Sequence, residues 1–338
     1  MNRICITMGD PAGLGPELCI RLLDRQKFKS PPLLIIGDNQ VLNAALKKFG
    51  GKSAKTRFEN ACVINGESQK IPNPPLVILS LSRLDPEKIF RERGSKKHGR
   101  ASWRYIEAGV RACKSGICTA MVTMPVNKDA MLKAGYPYPG HTQLLAALDR
   151  AKMEIMLMVL GKLRVALATH HIPLKKVPQK IETAKLLSML KLMARSLKTD
   201  FGILRPRIAV LGLNPHAGEK GEIGDEEIKK IGPAIRLARK AGVNALGPLP
   251  ADTVFHRARH GEFDALLAMY HDQGIGPLKT LDFERVVNVT LGLSFVRTSP
   301  GHGTAYDIAW SGKASPGSLF AAFDLALILA ANRKRSNG

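Results

Sequence analysis

The stretch "ALLAMYHDQGIGPLK", residues 265–279, holds the pattern by which the rest of the chain can be read. Residues 265–269 are apolar and have the length of a buried strand. The run closes on Tyr270, His271 and Asp272, and then two glycines lead to Lys279. Other runs end the same way. "TAMVT" (119–123) meets Met124-Pro125-Val126-Asn127-Lys128, "VALAT" (165–169) meets His170-His171, and "IAVLGLN" (208–214) meets Pro215-His216. Helical patterns lie between such runs. That alternation predicts an α/β fold on a largely parallel sheet. In parallel sheets ligands bind beyond the carboxyl ends of the strands, so polar residues at those ends are the first place to look for chemistry.

Working outward, strands are expected at 3–8, 33–36, 61–64, 76–79, 119–123, 155–160, 164–169, 207–212, 265–269 and 286–290. Helices are expected at 15–24, 40–48, 101–114, 142–150, 180–197, 225–240 and 318–332. "MLMVLGKLRVAL" (156–167) reads as two strands about a tight Gly-Lys turn, which adds an antiparallel pair. Asp225 is a plausible N-cap, with acids after it and bases at the far end. No linker interrupts the chain, so two lobes would share a sheet or be crossed twice.

Composition narrows the class. The 338 residues are 45% hydrophobic and 23% charged, enough to bury a real core. The start reaches Gly9-Asp10-Pro11 too soon for a signal segment. The apolar stretch 319–331 is short and holds Asp324, so it reads as a buried helix, not a membrane span. Cys5, Cys19, Cys62, Cys113 and Cys118 are odd in number and lack zinc-ribbon spacing, which suits reduced thiols in the cytoplasm. The net charge of +23 is spread along the chain. Its densest patches, "EKIFRERGSKKHGR" (87–100) and "NRKRS" (332–336), carry little aromatic character. No nucleic-acid-binding signature accompanies them, so a basic solvated surface is the expectation and a nucleic-acid partner is not.

Three strand ends deliver His171, His216 and His271. Three neutral imidazoles suit zinc or a similar divalent ion, whereas a single such histidine is usually structural. "MGDPAGLGPE" (8–17) is either a tight strand-to-helix turn or a loop whose amides face an anion; it is neither a dinucleotide fingerprint nor a Walker loop. Thr142 in "GHT" is a candidate helix cap, and His141 beside it a candidate phosphate contact. Lys279, Asn288 and Arg297 are the residue types that hold phosphate and carboxylate. Asp252 in "GPLPADT" reads as a helix cap or an active-site acid.

Taken together and in order, "GDPAGLGPE", "PVNK", "GHTQLLA", "HIPLKKV", "LNPHAGEKGEIGDEE", "GPLPADT", "YHDQGIGPLK", "VNVTLGLSFVRTS" and "HGTAYDIA" resemble the 4-hydroxythreonine-4-phosphate dehydrogenase family of pyridoxal phosphate biosynthesis, nearly end to end. The resemblance implies a three-layer α/β/α fold like that of isocitrate and isopropylmalate dehydrogenases, two lobes around a deep cleft. One lobe would span about 1–125 plus 300–338 and the other about 126–299. It implies a cytoplasmic homodimer with active sites at the subunit interface, using NAD or NADP and one divalent ion (zinc, magnesium or cobalt). The substrate alcohol would be oxidised to a β-keto acid that loses CO2. By motif, the family's metal ligands fall on His171, His216 and His271, and its substrate contacts on His141, Thr142, Lys279, Asn288 and Arg297. Lys279, Asp252 and Asp272 are then the candidates for proton transfer or for orienting a ligand. His170 adds a second histidine beside His171, which takes the role because Ile172-Pro173-Leu174 follows it directly. Met124, Gln143, Ser294 and Pro300-Gly301 depart from the expected pattern. A paralogous dehydrogenase of D-threonate or D-erythronate 4-phosphate is the nearest rival reading. A metal-dependent phosphohydrolase is a rival from another class.

Overall fold

The computed structural model describes residues 3–25, 31–67, 70–138 and 140–337. The chain divides into two compact units. The first comprises Met1–Glu154 and Leu293–Ala331, and the second Ile155–Gly292 and Asn332–Gly338.

The first unit holds strands β1 (Ile4–Thr7), β2 (Leu33–Gly37), β3 (Cys62–Asn65), β4 (Leu76–Ser80), β5 (Ala120–Thr123) and, from the late segment, β12 (Val296–Pro300). They lie in the order β3-β4-β2-β1-β5-β12, and every pair is parallel. All residues of β1, β2, β4, β5 and β12 are buried, so both faces of this sheet are covered. Only the edge strand β3 alternates between half-buried and exposed residues. The helix Lys96–Lys114 packs across β1, β2 and β5.

The second unit holds β6 (Ile155–Leu160), β7 (Leu163–Leu167), β8 (Ile208–Leu211), β9 (Ala245–Leu249), β10 (Ala265–Ala268) and β11 (Val287–Leu291), in the order β11-β6-β7-β10-β8-β9. β6 and β7 form the expected antiparallel hairpin, closed at Leu160–Leu163 with Gly161 at φ +57°. β11 is antiparallel to β6, while β7, β10, β8 and β9 run parallel. A core of Val165, Leu167, Leu211, Val254, Leu266 and Leu278 joins this sheet to its helices.

Two strands escaped the sequence reading. β9 contains Gly247 and Pro248, and β12 ends on Pro300, so both carry strand-breaking residues. The opening stretch also departs from expectation. His271–Leu281 is a helix, despite Gly274, Gly276 and Pro277. Gly274 has a packing reason: a Cβ there would lie 2.5 Å from Leu167 and 3.1 Å from Ala268, so the missing side chain lets the helix settle onto the sheet. Asp225 sits just ahead of a π-helical turn, Glu227–Ile231, which continues as the helix Gly232–Lys240. All five cysteines are free thiols. Among the described residues no helix is long and apolar enough to cross a membrane.

Candidate active site

In the second unit, the parallel register of β7 with β10 pairs Val165 with Leu266 and Leu167 with Ala268. Beyond the strand ends the pairing continues: the Ala168 amide donates to Ala268 O (2.8 Å), and the Thr169 hydroxyl to Met269 O (2.7 Å). His171 and His271 therefore emerge side by side, their ring centroids 5.6 Å apart. His170 stacks edge-on against His171 at 5.2 Å. The chain turns sharply here, for His171 has φ +54°. The pair borders a cavity of about 310 Å³ that Thr169, Ile172, Tyr270 and Asp272 also line. Asp272, largely exposed, sits 2.7 Å from His271 Nδ1, which fixes that ring nitrogen as the inner one and turns Nε2 outward.

β8 runs parallel to β10 and carries the chain on to His216. The loop is organised by Glu227, which is 3% exposed. Its carboxylate accepts the amides of Leu213 (2.7 Å) and Asn214 (2.8 Å) and the Asn214 side chain (3.0 Å). Residues His216 to Lys220 all have positive φ, between 43° and 82°. Glu219 Oε1 lies 2.6 Å from His216 Nδ1, the same carboxylate support that Asp272 gives His271. The donors fit a divalent ion in kind: imidazoles, two of them backed by carboxylates on Nδ1. The described residues of this chain contain no assembled three-donor group, however; His171 and His271 are brought together, and His216 stands on its own loop.

The remaining predicted residues of this unit are spread more widely. Lys279 lies in the last turn of the helix His271–Leu281, about 12 Å along the axis from His271 at the usual helical rise. Its ammonium sits over the Phe283 ring at 4.8 Å. Asp252 is not the cap of its helix: Pro250 occupies that position, and Asp252 is an exposed acid in the first turn of Ala251–Arg259, where it complements the helix dipole. Asn288, on β11, has a buried side-chain oxygen with no hydrogen-bond partner.

The first unit holds a second cluster. Arg297, on β12, is 2% exposed. Its Nε (3.1 Å) and Nη2 (2.6 Å) both donate to the Thr123 hydroxyl at the end of β5, the neighbouring strand. Burial pushes the guanidinium down to about 9. His141 is the first residue of the helix His141–Asp149, with Gly140 at the cap; Thr142, buried at 4% exposure, is therefore inside the helix and does not cap it. The His141 Nε2 is buried and has no hydrogen-bond partner among the described residues. Burial, then the charges of Arg297 and Lys128, hold this imidazole well below its usual range, so it is neutral at pH 7. A desolvated cation and an unpartnered imidazole nitrogen at the start of a helix suit an anionic group with hydroxyls or protonated oxygens. Thr123 and Lys128 were not singled out from the sequence. They stand in "TAMVT" and "PVNK", where the signal was that these motifs end a strand.

The turn 8–17 resolves into one of its two readings. The amides of Asp10, Ala12, Gly13 and Leu14 are all spent within the protein, on Pro125 O, the Asp10 side chain, Asp10 O and Thr304 O. A Cβ on Gly15 would lie 1.8 Å from Met8 O. These four amides and the close approach at Gly15 make it a tight turn. Asp10, fully buried, also accepts the Tyr306 hydroxyl (2.7 Å), which in turn accepts Asn127 Nδ2 (2.8 Å). Three of the motifs are thus tied together by side chains 296 and 179 positions apart.

Comparison with known proteins follows this geometry. Residues 29–326 match the family described as pyridoxal phosphate biosynthetic protein PdxA. The chain is 42% identical over 328 residues to a 4-hydroxythreonine-4-phosphate dehydrogenase of Desulforapulum autotrophicum, covering 97% of this chain and 95% of that one. It is 38% identical over 327 residues to a D-threonate 4-phosphate dehydrogenase of Salmonella typhimurium, covering 97% and 98%. Among solved structures, a 4-hydroxythreonine-4-phosphate dehydrogenase from Klebsiella pneumoniae superposes with a TM-score of 0.85 at 36% identity, covering 97% of this chain and 98% of that one.

Proposed function

The chain belongs to the PdxA family of pyridoxal phosphate biosynthetic proteins and is a dehydrogenase, and on that footing we propose that it oxidises 4-phosphooxy-L-threonine with NAD or NADP as the hydride acceptor. The hydroxyl at C3 loses its proton to a base and its carbon-bound hydrogen, as hydride, to the nicotinamide. The ketone that forms is β to the carboxylate, so the bond between C1 and C2 breaks, CO2 leaves, and the resulting enolate takes up a proton at C2 to give 3-amino-2-oxopropyl phosphate.

The observation that carries this reading is the Arg297–His141 corner. A buried guanidinium pays its desolvation in advance, so a phosphate or carboxylate that reaches it meets a charge little screened by water. Thr123 holds the guanidinium in place, and the neutral His141 adds a ring nitrogen for the same ligand. Thr142, Asn288 and Lys279 complete the substrate contacts in this reading. His171, His216 and His271 would hold a divalent ion, which when bound polarises the alcohol and carboxylate oxygens. Asp272 and Glu219 keep the rings of His271 and His216 turned for that task. Asp272, Asp252 and Lys279 remain the groups assigned to proton movement. Within the turn at 8–17, the amides of Asp10, Ala12, Gly13 and Leu14 are spent inside the protein and take no part in holding the dinucleotide's phosphates. A homodimer with the active site at the subunit interface accounts for the lack of a three-donor group among one chain's described residues.

The test is a spectrophotometric assay of the purified protein with 4-phosphooxy-L-threonine and NAD or NADP, repeated after chelation and metal add-back. Metal-dependent formation of reduced nicotinamide is expected. The Salmonella relative favours a second substrate, D-threonate 4-phosphate, and the same assay with that compound separates the two. Phosphate release without nicotinamide reduction would overturn both.

A further inference from the structure

We propose that a cationic cavity in the first unit, at the start of the helix Lys96–Lys114, is a binding site for a compact anion bearing two or more linked phosphate groups. The cavity, of about 450 Å³, is lined by Arg83, Lys96, Lys97, Arg100 and Arg104 together with Ser82, and no carboxylate lines it. Two of these cations have acid partners outside the lining: Lys97 with Glu92 at 3.2 Å, and Arg104 with Glu67 at 3.7 Å. Arg83, Lys96 and Arg100 form no ion pair and no side-chain hydrogen bond among the described residues.

This arrangement runs against what a helix start prefers. The first turn carries no acid, and Lys96, Lys97 and Arg100 add charge to the positive end of the dipole. Lys96, Arg100 and Arg104 are also spaced i, i+4 and i+8, where like charges repel along one face. The helix tolerates these costs over 19 residues of otherwise well-buried packing. An anion in the cavity would reverse the sign of each of them, because dipole and side chains then act together on one ligand.

Size and lining choose the ligand. The volume lies within the ordinary range for small-molecule sites. Among the described residues no aromatic ring lines the cavity, so they offer no platform on which bases of a single-stranded nucleic acid would stack. Trp103, on the same helix, is stacked on Tyr136 at 4.0 Å and is committed there. An adjoining cavity of about 730 Å³ shares Arg83 and Lys97 but includes Asp85 and Glu87, so the uncompensated charge is concentrated in the first. Guanidinium and ammonium groups without aromatic neighbours match linked phosphates. Such phosphates come either from a free polyphosphate or from the diphosphate bridge of a dinucleotide. None of these residues is used in the dehydrogenase reading; a free polyphosphate leaves the site independent of it, whereas the dinucleotide source rests on it.

The experiment is titration calorimetry of the full-length protein with sodium tripolyphosphate at physiological ionic strength. Wild type is compared with Lys96→Gln/Arg100→Gln and with a control, Lys185→Gln/Lys191→Gln, which removes two exposed cations from a helix of the second unit. One saturable site per chain is expected, weakened about tenfold or more in the first variant by the loss of two charge-assisted contacts, and unchanged in the control. Arg83→Gln, on a different segment, repeats the test should the double variant misfold. Repeating the titration with NAD present separates the sources: displacement assigns the cavity to the dinucleotide's diphosphate, and undiminished binding assigns it to a free polyphosphate. An absence of saturable binding, or equal weakening in variant and control, would mean diffuse surface charge and overturn the site.

Discussion

The Arg297 corner and the histidine edge carry their polar side chains on opposite terms. Arg297 is buried to 2% exposure and gives two of its donors to one threonine hydroxyl, while His141 keeps a buried nitrogen unpartnered. On the other unit, His216 and His271 are partly open to solvent and each leans on an exposed carboxylate. One region is charged and dry before any ligand arrives. The other is wet and aimed by a neighbour. The two therefore select different ligands. Burial makes the first selective, because a charged ligand that reaches it is favoured over a neutral one. Carboxylate-supported imidazoles are tolerant, since their inner hydrogen bond is kept whatever the outer nitrogen meets.

If the two regions divide the labour as proposed, substitutions should separate them. The largest effect is expected from His171→Ala, which should lower kcat by about 10³-fold, the worth of several kcal/mol of charge stabilisation, with bound metal by elemental analysis falling in parallel. An unchanged kcat in metal-free protein would remove the histidine edge from the chemistry. Next comes Arg297→Met. It should raise KM by about 10²-fold with a smaller change in kcat, because a buried charge-assisted contact to the substrate is lost. Asp272→Asn should weaken metal affinity by about 10-fold to 100-fold while leaving KM for substrate nearly unaltered at saturating metal.

The smallest effect concerns stability. The folded state holds His141 below its unfolded range, mainly by burial, and His98 is lowered in the same way. Between the folded value and about 6.5, the unfolded chain binds more protons than the native one, so stability must fall as pH drops through that window. Each group contributes at most about 1.4 kcal/mol per pH unit. Melting temperatures from pH 7.5 to 5 should decline, and His141→Asn should flatten the decline. An identical slope in the variant would show that the ring is not desolvated as described.

Much of this architecture was legible because buried strands announce themselves. Residues 33–36, 76–79, 155–160 and 265–269 are unbroken apolar runs and are strands within a residue or so. The polar endings of 165–169, 208–214 and 265–269 pointed to His171, His216 and His271, and the structure brings the first and last of these to one edge. The failures have physical causes. Local propensity speaks against a helix at "HDQGIGPLK", and only the close approach of Gly274 to Leu167, unknowable without the sheet, explains it. Thr142 and Asp252 each had a residue type suited to capping, yet Gly140 and Pro250 hold those positions. Thr123 was invisible as a support for Arg297 because the two are 174 positions apart and meet only when β12 joins β5.

That late joining has a consequence for synthesis. The first unit is written in two instalments: its opening 154 residues emerge from the ribosome long before β12 and Tyr306. At roughly 5–20 residues per second, the wait from residue 154 to residue 306 is on the order of 8 to 30 seconds. Through that interval β5 has an open edge where β12 will pair, and Asp10 lacks the hydroxyl that will satisfy it. The segment that carries β12 thus acts as a late seal on the first unit.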